Sequence, residues 1–428
     1  MVHERKSTPS RPLKILLTEG SSTSARQTLY ALGPRHTIDI LDPSPLCQCR
    51  FSRLVRRWYR CPSFSKQPLA YLRFLANRLR AEKYDVLFPT HEQVYLLARV
   101  REQVKRYAGL ALPDFEAIHR MQDKANFTRL LEQLGLPHPP TSIVTNRQDL
   151  EAACTYPCFI KLAHSTAGTG VFRIDGAANM RQVAQQLETN GLFNDETEIL
   201  VQQPAVGTLS IIQTVFQHGR LVGAHCAQAR RLGVGGAPMA RISAWHPQVV
   251  QDVARMGRYL NWHGALFLEY FFDDSTGRYQ YLEANPRIGE TFNATLCGMN
   301  LCEQLVRVST NEKVELLERA PTDALSHQSF MILMAKAIDG GSRSQLVGEL
   351  FRSWRRQDVY ENSEDELTRP TSDLASIIPA AAVVLQLLAA PRTARKLVQR
   401  TVSNYSLPES AARTIAKMSD SELFDCFS

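Results

Sequence analysis

Residues 267–289 read FLEYFFDDSTGRYQYLEANPRIG. Two β-rich runs flank Asp273-Asp274-Ser275-Thr276-Gly277, a turn-forming cluster, so the stretch reads as an antiparallel hairpin. A turn centred near Thr276 sets Glu269 opposite Glu283, and period-two alternation puts Asn285 on the same face. Carboxylates directly across a ladder repel and would weaken a hairpin that merely packed. A divalent cation removes the conflict: two carboxylates and an amide oxygen form a hard, all-oxygen set suited to Mg2+, with Mn2+ as the alternative. On a fully solvated strand face the same residues would need no partner. Arg287, just after Pro286, can grip a phosphate or carboxylate bidentately beside such a metal.

Working upstream, Phe159-Ile160-Lys161-Leu162 is a strand pattern with one charge in an apolar run, where a lysine needs an anionic partner. Residues 164–171 (HSTAGTGV) form a small-residue loop whose backbone amides can wrap phosphate oxygens, although an ordinary turn has the same composition. Lys124, in Asp123-Lys124-Ala125-Asn126, is by itself an ordinary helix lysine.

Further out, residues 13–17, 36–41 and 84–88 read as strands alternating with helical stretches, which implies a parallel, doubly wound sheet. The turn at Gly20 lacks a full GxGxxG, so it does not support nucleotide binding in that part. Residues 114–134 are helical in pattern, and Gly135, Pro137, Pro139 and Pro140 end them. A middle region of α+β character follows, with strands at 158–162, 171–174, 198–202, 209–216 and 220–228 and a helix at 178–188. Beyond about residue 320 the periodicity turns helical almost to the end. The expected architecture is α/β and α+β in three parts: an N-terminal doubly wound domain (1–115), a middle domain of two α+β lobes (116–318) and a C-terminal helical extension (319–428).

The bulk properties agree with a multidomain soluble globular protein. The chain has 428 residues, 44% of them hydrophobic and 21% charged. Its net charge of +8 is spread out, with clusters only at 53–60 and 392–400, and it lacks the aromatic interleaving or reading helix of a nucleic-acid binder. The start, MVHERKSTPSRP, has no apolar core, which points to the cytoplasm. Nine cysteines carry no zinc-like spacing and read as free buried thiols. Residues 377–390 (IIPAAAVVLQLLAA) are too few to span a bilayer. With the basic residues after them they could lie on a membrane surface, but a buried helix is the favoured reading.

The separate motifs are weak; their succession is not. Asp-Lys opening a helix, a Pro-rich break, Ile-Lys with a small-residue loop, Ile-Leu-Val-Gln-Gln-Pro and Leu-Glu-Ala-Asn-Pro-Arg occur in one order between Asp123 and Arg287. This closely resembles the ATP-grasp superfamily, especially its carboxylate-amine ligases, with relatives such as D-alanine:D-alanine ligase and biotin carboxylase. The resemblance implies ATP and Mg2+ as cofactors, small-molecule carboxylate and amine substrates, and allows a homo-oligomer. It makes Lys124 and Lys161 contacts to ATP, and closes the loop containing Ser165, Gly168, Thr169 and Gly170 over the triphosphate. It gives Glu198, Val201, Gln202, Gln203 and Ala205 to the adenine-side hinge. Glu269, Glu283 and Asn285 then bind one or two Mg2+, Arg287 stabilises the transferred phosphoryl or acyl phosphate, and one of Arg230 and Arg231 reaches the phosphates or the substrate carboxylate. Three features depart from the pattern. The hinge has Gln202 and Gln203 where relatives carry an acidic residue, and Leu209 stands near the position of a ribose-binding Glu. Residues 289–291 (GET) also replace the commoner Gly-rich continuation. A bicarbonate-activating enzyme and a noncatalytic nucleotide-binding regulator are the competing readings.

Overall fold

The computed structural model describes residues 11–165, 168, 170–194, 196–319, 323–369 and 371–428. Its first sheet contains β1 (Lys14–Leu17), β2 (Thr37–Asp42), β3 (Val55–Arg60) and β4 (Val86–Phe88), all parallel in the order β3-β2-β1-β4. Helices Thr23–Leu32 and Pro68–Glu82 make the crossovers. The parallel sheet is the expected one, with β3 added. Residues 53–60 had read only as a basic cluster, because β3 is a half-exposed edge strand whose arginines mask its β character. Arg56 and Arg57 are used there against Asp39 and Glu82.

The second sheet is antiparallel: β5 (Thr141–Val144), β6 (Cys158–Leu162), β7 (Val171–Ile174) and β8 (Ile199–Gln202), in the order β5-β8-β6-β7. Helices Arg147–Ala153 and Ala177–Thr189 cover one face, burying Leu150, Ile160, Val183, Leu187 and Ile199 in a core of their own.

The third sheet carries the hairpin. It holds β9 (Thr208–Gln217), β10 (Arg220–Leu232), β11 (Pro238–Ala244), β12 (Gly264–Phe272), β13 (Tyr279–Asn285), β14 (Leu325–His327) and β15 (Glu364–Asp365), in the order β13-β12-β9-β10-β11-β14-β15. The last two strands correct the expectation of an all-helical segment after residue 320. They are too short to leave a period-two signal, yet β14 pairs with β11 and β15 with β14, extending the sheet.

Glu269 does face Glu283, but a bulge makes it so. Next to the turn Phe272 pairs with Tyr279, and Leu282 is then an extra residue between the Tyr270–Tyr281 and Glu269–Glu283 pairs. The bulge moves the register by one and turns Leu282 toward the cleft. Asp273 organises the turn by accepting from Ser275 N (2.9 Å) and Thr276 Oγ1 (2.7 Å).

The helical stretch 114–134 is two helices, Phe115–Gln122 and Lys124–Gln133. Asp123 breaks it: its backbone is extended, and its carboxylate accepts from Asn126 N at 2.8 Å as the cap of the second helix. That break sets Lys124 at a helix start. The C-terminal helices close the molecule. Arg99 donates to the carbonyls of Ile415 (2.9 Å), Ala416 (2.8 Å) and Met418 (2.8 Å), while Arg413 reaches Thr197 Oγ1 (2.7 Å) in the antiparallel lobe. Leu407, Ile415, Leu423 and Phe427 join the core shared by the first and third sheets.

The apolar helix Ile378–Ala389 is half-buried rather than buried. Its Val383, Val384, Leu387 and Leu388 pack on Leu333, Met334 and Leu346, while Leu385 remains 68% exposed. Among the described residues no helix is long and apolar enough to cross a membrane. The nine cysteines are free, and all but Cys154 are buried. Burial pushes the Cys49 thiol up to about 12, as expected of an inert thiol.

Candidate active site

A cleft of about 970 Å³ runs between the antiparallel lobe and the third sheet, bounded by the carboxyl ends of the first sheet and by the C-terminal helices. It brings together most of the residues singled out in the sequence. Lys161, Gln202, Gln203 and Ala205 line it from the antiparallel lobe, with Ser165 and Gly168 from the loop after β6. Glu269, Glu283, Asn285 and Arg287 line the opposite side, and Lys124 enters from its helix start.

Burial sets the electrostatics of this group. Glu269 is pushed up to about 8, first by burial and then by Glu283 across the ladder. Burial also pushes on Glu283, but Lys124 and Lys161 outweigh it and hold that carboxyl below the usual range. Lys124 Nζ lies 3.3 Å from Glu283 Oε2 and donates to Ser165 O and Oγ, both at 3.1 Å. Lys161 Nζ donates to Gln202 Oε1 at 2.6 Å, and burial lowers it to about 8 despite Glu283 and Glu269 nearby. Arg287 is held by Asn285 Oδ1 (3.0 Å) and Glu92 Oε1 (3.4 Å), and lies over the Phe267 ring at 5.8 Å.

The buried carboxylate pair is a conflict that a divalent cation would resolve. The two carboxylates and the Asn285 amide are a donor set that fits Mg2+. Among the described residues no group of three or more His, Cys, Asp or Glu competes as a metal site.

Other singled-out residues stand elsewhere. Arg230 is exposed, and Arg231 Nη1 pairs with Glu349 Oε1 at 3.0 Å, so neither lines the cleft. Register shifts at Ala229, Arg231 and Leu232 break the alternation that would have aimed one of them inward. Glu198 accepts from Arg129 (2.9 Å) on the outer side, and Val201 is buried in the lobe core. Gly170, with φ of +79°, accepts from Leu162 N (2.9 Å) and shapes the loop without lining the cleft. Thr169 lies outside the described residues. Gly168, with φ of +73°, lies so near the turn at Gly235 that a Cβ would sit 3.1 Å from the Gly235 carbonyl. The loop therefore already approaches the far wall.

Several participants were missed. Glu92, 1% exposed, follows β4 in Pro89-Thr90-His91-Glu92, and burial raises its carboxyl while Arg287 opposes. A polar run at the carboxyl end of a parallel strand was the available signal, since such ends open onto a ligand crevice. His91 beside it is kept neutral by burial and by Arg287, and its ring packs tilted against Tyr405 at 4.3 Å between centroids. Arg241, 1% exposed, pairs with Glu290 Oε2 (2.5 Å) and Glu366 Oε1 (3.0 Å). Burial pushes Glu290 up, but Arg241, Thr23 and Gln328 together hold it below the usual carboxylate range. These partners lie far apart in the chain, so no local pattern announces them.

A glycine-bearing loop and two lysines face paired acids across the cleft between the two lobes. Residues 123–317 match the family model described as the carbamoyl-phosphate synthase L chain, ATP binding domain. That segment is an ATP-grasp domain. It is 23% identical over 186 residues to the arginine-specific carbamoyl phosphate synthase large chain of Geobacillus stearothermophilus, a match covering 41% of this chain and 17% of that one. Among solved structures it resembles the biotin carboxylase domain of the Hydrogenobacter thermophilus 2-oxoglutarate carboxylase, a dimer with MgADP and bicarbonate (TM-score 0.59, 13% identity, 74% of this chain and 75% of that). It also resembles the L-amino acid ligase of Bacillus licheniformis (TM-score 0.54, 14% identity, 72% and 76%).

Proposed function

We propose that the protein is an ATP- and Mg2+-dependent ligase that converts a carboxylate to an acyl phosphate and couples it to an amine. The observation that carries this reading is the buried Glu269–Glu283 pair with Asn285, ringed by Lys124, Lys161 and Arg287. A carboxylate is a poor electrophile at neutral pH. Its oxygen attacks the γ-phosphorus of ATP, the bond to the β-phosphate oxygen breaks, and ADP leaves. The amine nitrogen then attacks the acyl carbon, the C–O bond to phosphate breaks, and the nitrogen loses its proton to water.

Glu269, Glu283 and Asn285 would hold Mg2+, which when bound neutralises charge on the phosphate oxygens. Lys124 and Lys161 exchange Ser165 and Gln202 for phosphate oxygens. Arg287, steered by Glu92 and Asn285, faces the transferred phosphoryl. The loop at Gly168 and the antiparallel lobe exclude water from the acyl phosphate.

A second reading, activation of bicarbonate, is favoured by the likeness to a carboxylase domain solved with that anion. Screening ADP release over carboxylates, amines and bicarbonate separates the two. Glu283→Gln is expected to lower kcat by at least about 100-fold, the order of a lost charge-stabilising contact, with an unchanged circular dichroism spectrum. ADP formation at the wild-type rate by that folded variant would reject the assignment.

A further inference from the structure

The cleft does not stop at Arg287. Past Glu290 it opens into a chamber walled by Met331 and Met334 of helix Ser329–Ile338, Val383 of helix Ile378–Ala389, and Leu397 and Val398 of helix Ala394–Tyr405. All five lie beyond residues 123–317, so the ATP-binding domain match says nothing about them. The chamber is tied to the reacting end on two sides. Gln328, immediately before the first helix, donates to Glu290 Oε2 at 2.7 Å. Tyr405, at the end of the third, packs against His91, the neighbour of the glutamate that holds Arg287.

We infer that the carboxylate substrate is amphiphilic, with its head at Arg287 and an aliphatic or aromatic body in this chamber. The inference rests on the ligase reading and narrows its substrate class. An apolar wall continuous with a charged end is matched by a ligand of the same polarity, since apolar surface gains most by leaving water. Bicarbonate or a short diacid would leave that wall wet. Arg400, which is exposed, lines the same cleft.

The test is calorimetry on the full-length chain with Mg2+ and a nonhydrolysable ATP analogue, titrating butyrate, hexanoate, octanoate and succinate. Affinity is expected to rise about three- to fourfold per methylene, at one site per chain, with octanoate at least tenfold tighter than succinate. Val383→Asp and Leu397→Gln should each lower octanoate affinity at least tenfold while nucleotide affinity stays put. Equal binding of succinate and octanoate, a flat chain-length series, or octanoate taken up at many sites would overturn the inference. The wild-type series decides even if a variant misfolds. Saturable octanoate binding with no ADP release on adding amines would sink the ligase reading and leave the chamber assignment standing; turnover confined to polar acids would do the reverse.

Discussion

Glu269 and Glu283 show how a site stores conflict that its ligand relieves. The two carboxylates share a rung of the β12–β13 ladder, and burial plus Glu283 raises Glu269 to about 8. A carboxyl raised by folding contributes stability fully present below its unfolded value near 4.5 and lost as pH rises through about 8. Glu269→Gln removes that loss. The ligand-free variant is therefore expected to melt about 1–2 °C above the wild type at pH 8, as about 1 kcal/mol does in a chain of this size. The difference should vanish near pH 4.5, and the variant should form no ADP. A melting point at or below wild type at pH 8 would show that the pair is not in conflict.

The end of β10 illustrates how an element redirects a side chain. The bulged register turns Arg231 to Glu349, which also accepts from Lys336 Nζ and Tyr360 Oη, both at 2.8 Å, and from Arg352. Burial pushes Glu349 up, but these donors hold it down to about 2. The stability it supplies is present above about 4.5 and lost as pH falls through about 2. Urea denaturation of Glu349→Gln should show a loss of about 2 kcal/mol at pH 7, the size of a charged hydrogen bond, and a smaller one at pH 3. Arg231→Met should keep ADP formation within about twofold of wild type, as expected for a residue outside the phosphoryl-transfer machinery. A large fall in kcat with stability unchanged would return Arg231 to the cleft.

At the scale of the whole molecule, the last helices belong to the main core. Leu407, Ile415, Leu423 and Phe427 pack with Val94, Leu97 and Leu112, and Arg99 fixes four groups of the tail. Each large apolar side chain contributes about 1.5–3 kcal/mol on burial, so four of them rival the roughly 5–15 kcal/mol that holds a domain folded. Deleting residues 406–428 is expected to give insoluble protein or no cooperative melting transition in calorimetry. A soluble truncated chain with the wild-type melting temperature would mean that the tail is an appendage.

How much of this was legible depends on the range of the interaction. The hairpin about residues 273–277, Glu283 and Asn285 on one face of its second strand, Lys161 inside an apolar strand and the parallel first sheet all follow from local alternation, turn chemistry and chain order. Those are short-range properties, and the sequence by itself determined them. Tertiary structure alone decided the rest. The Leu282 bulge shifts the hairpin by one residue, and short strands β14 and β15 extend a sheet made mostly of earlier residues. Glu92 comes to Arg287 from the first sheet, and Arg241 is shared between Glu290 and Glu366. Most tellingly, the helix Ile378–Ala389 is apolar in either setting. Whether such a surface faces protein, solvent or a ligand depends on where distant elements leave room, and here the packing of Leu333, Met334 and Leu346 beneath it puts Val383 at the edge of the cleft.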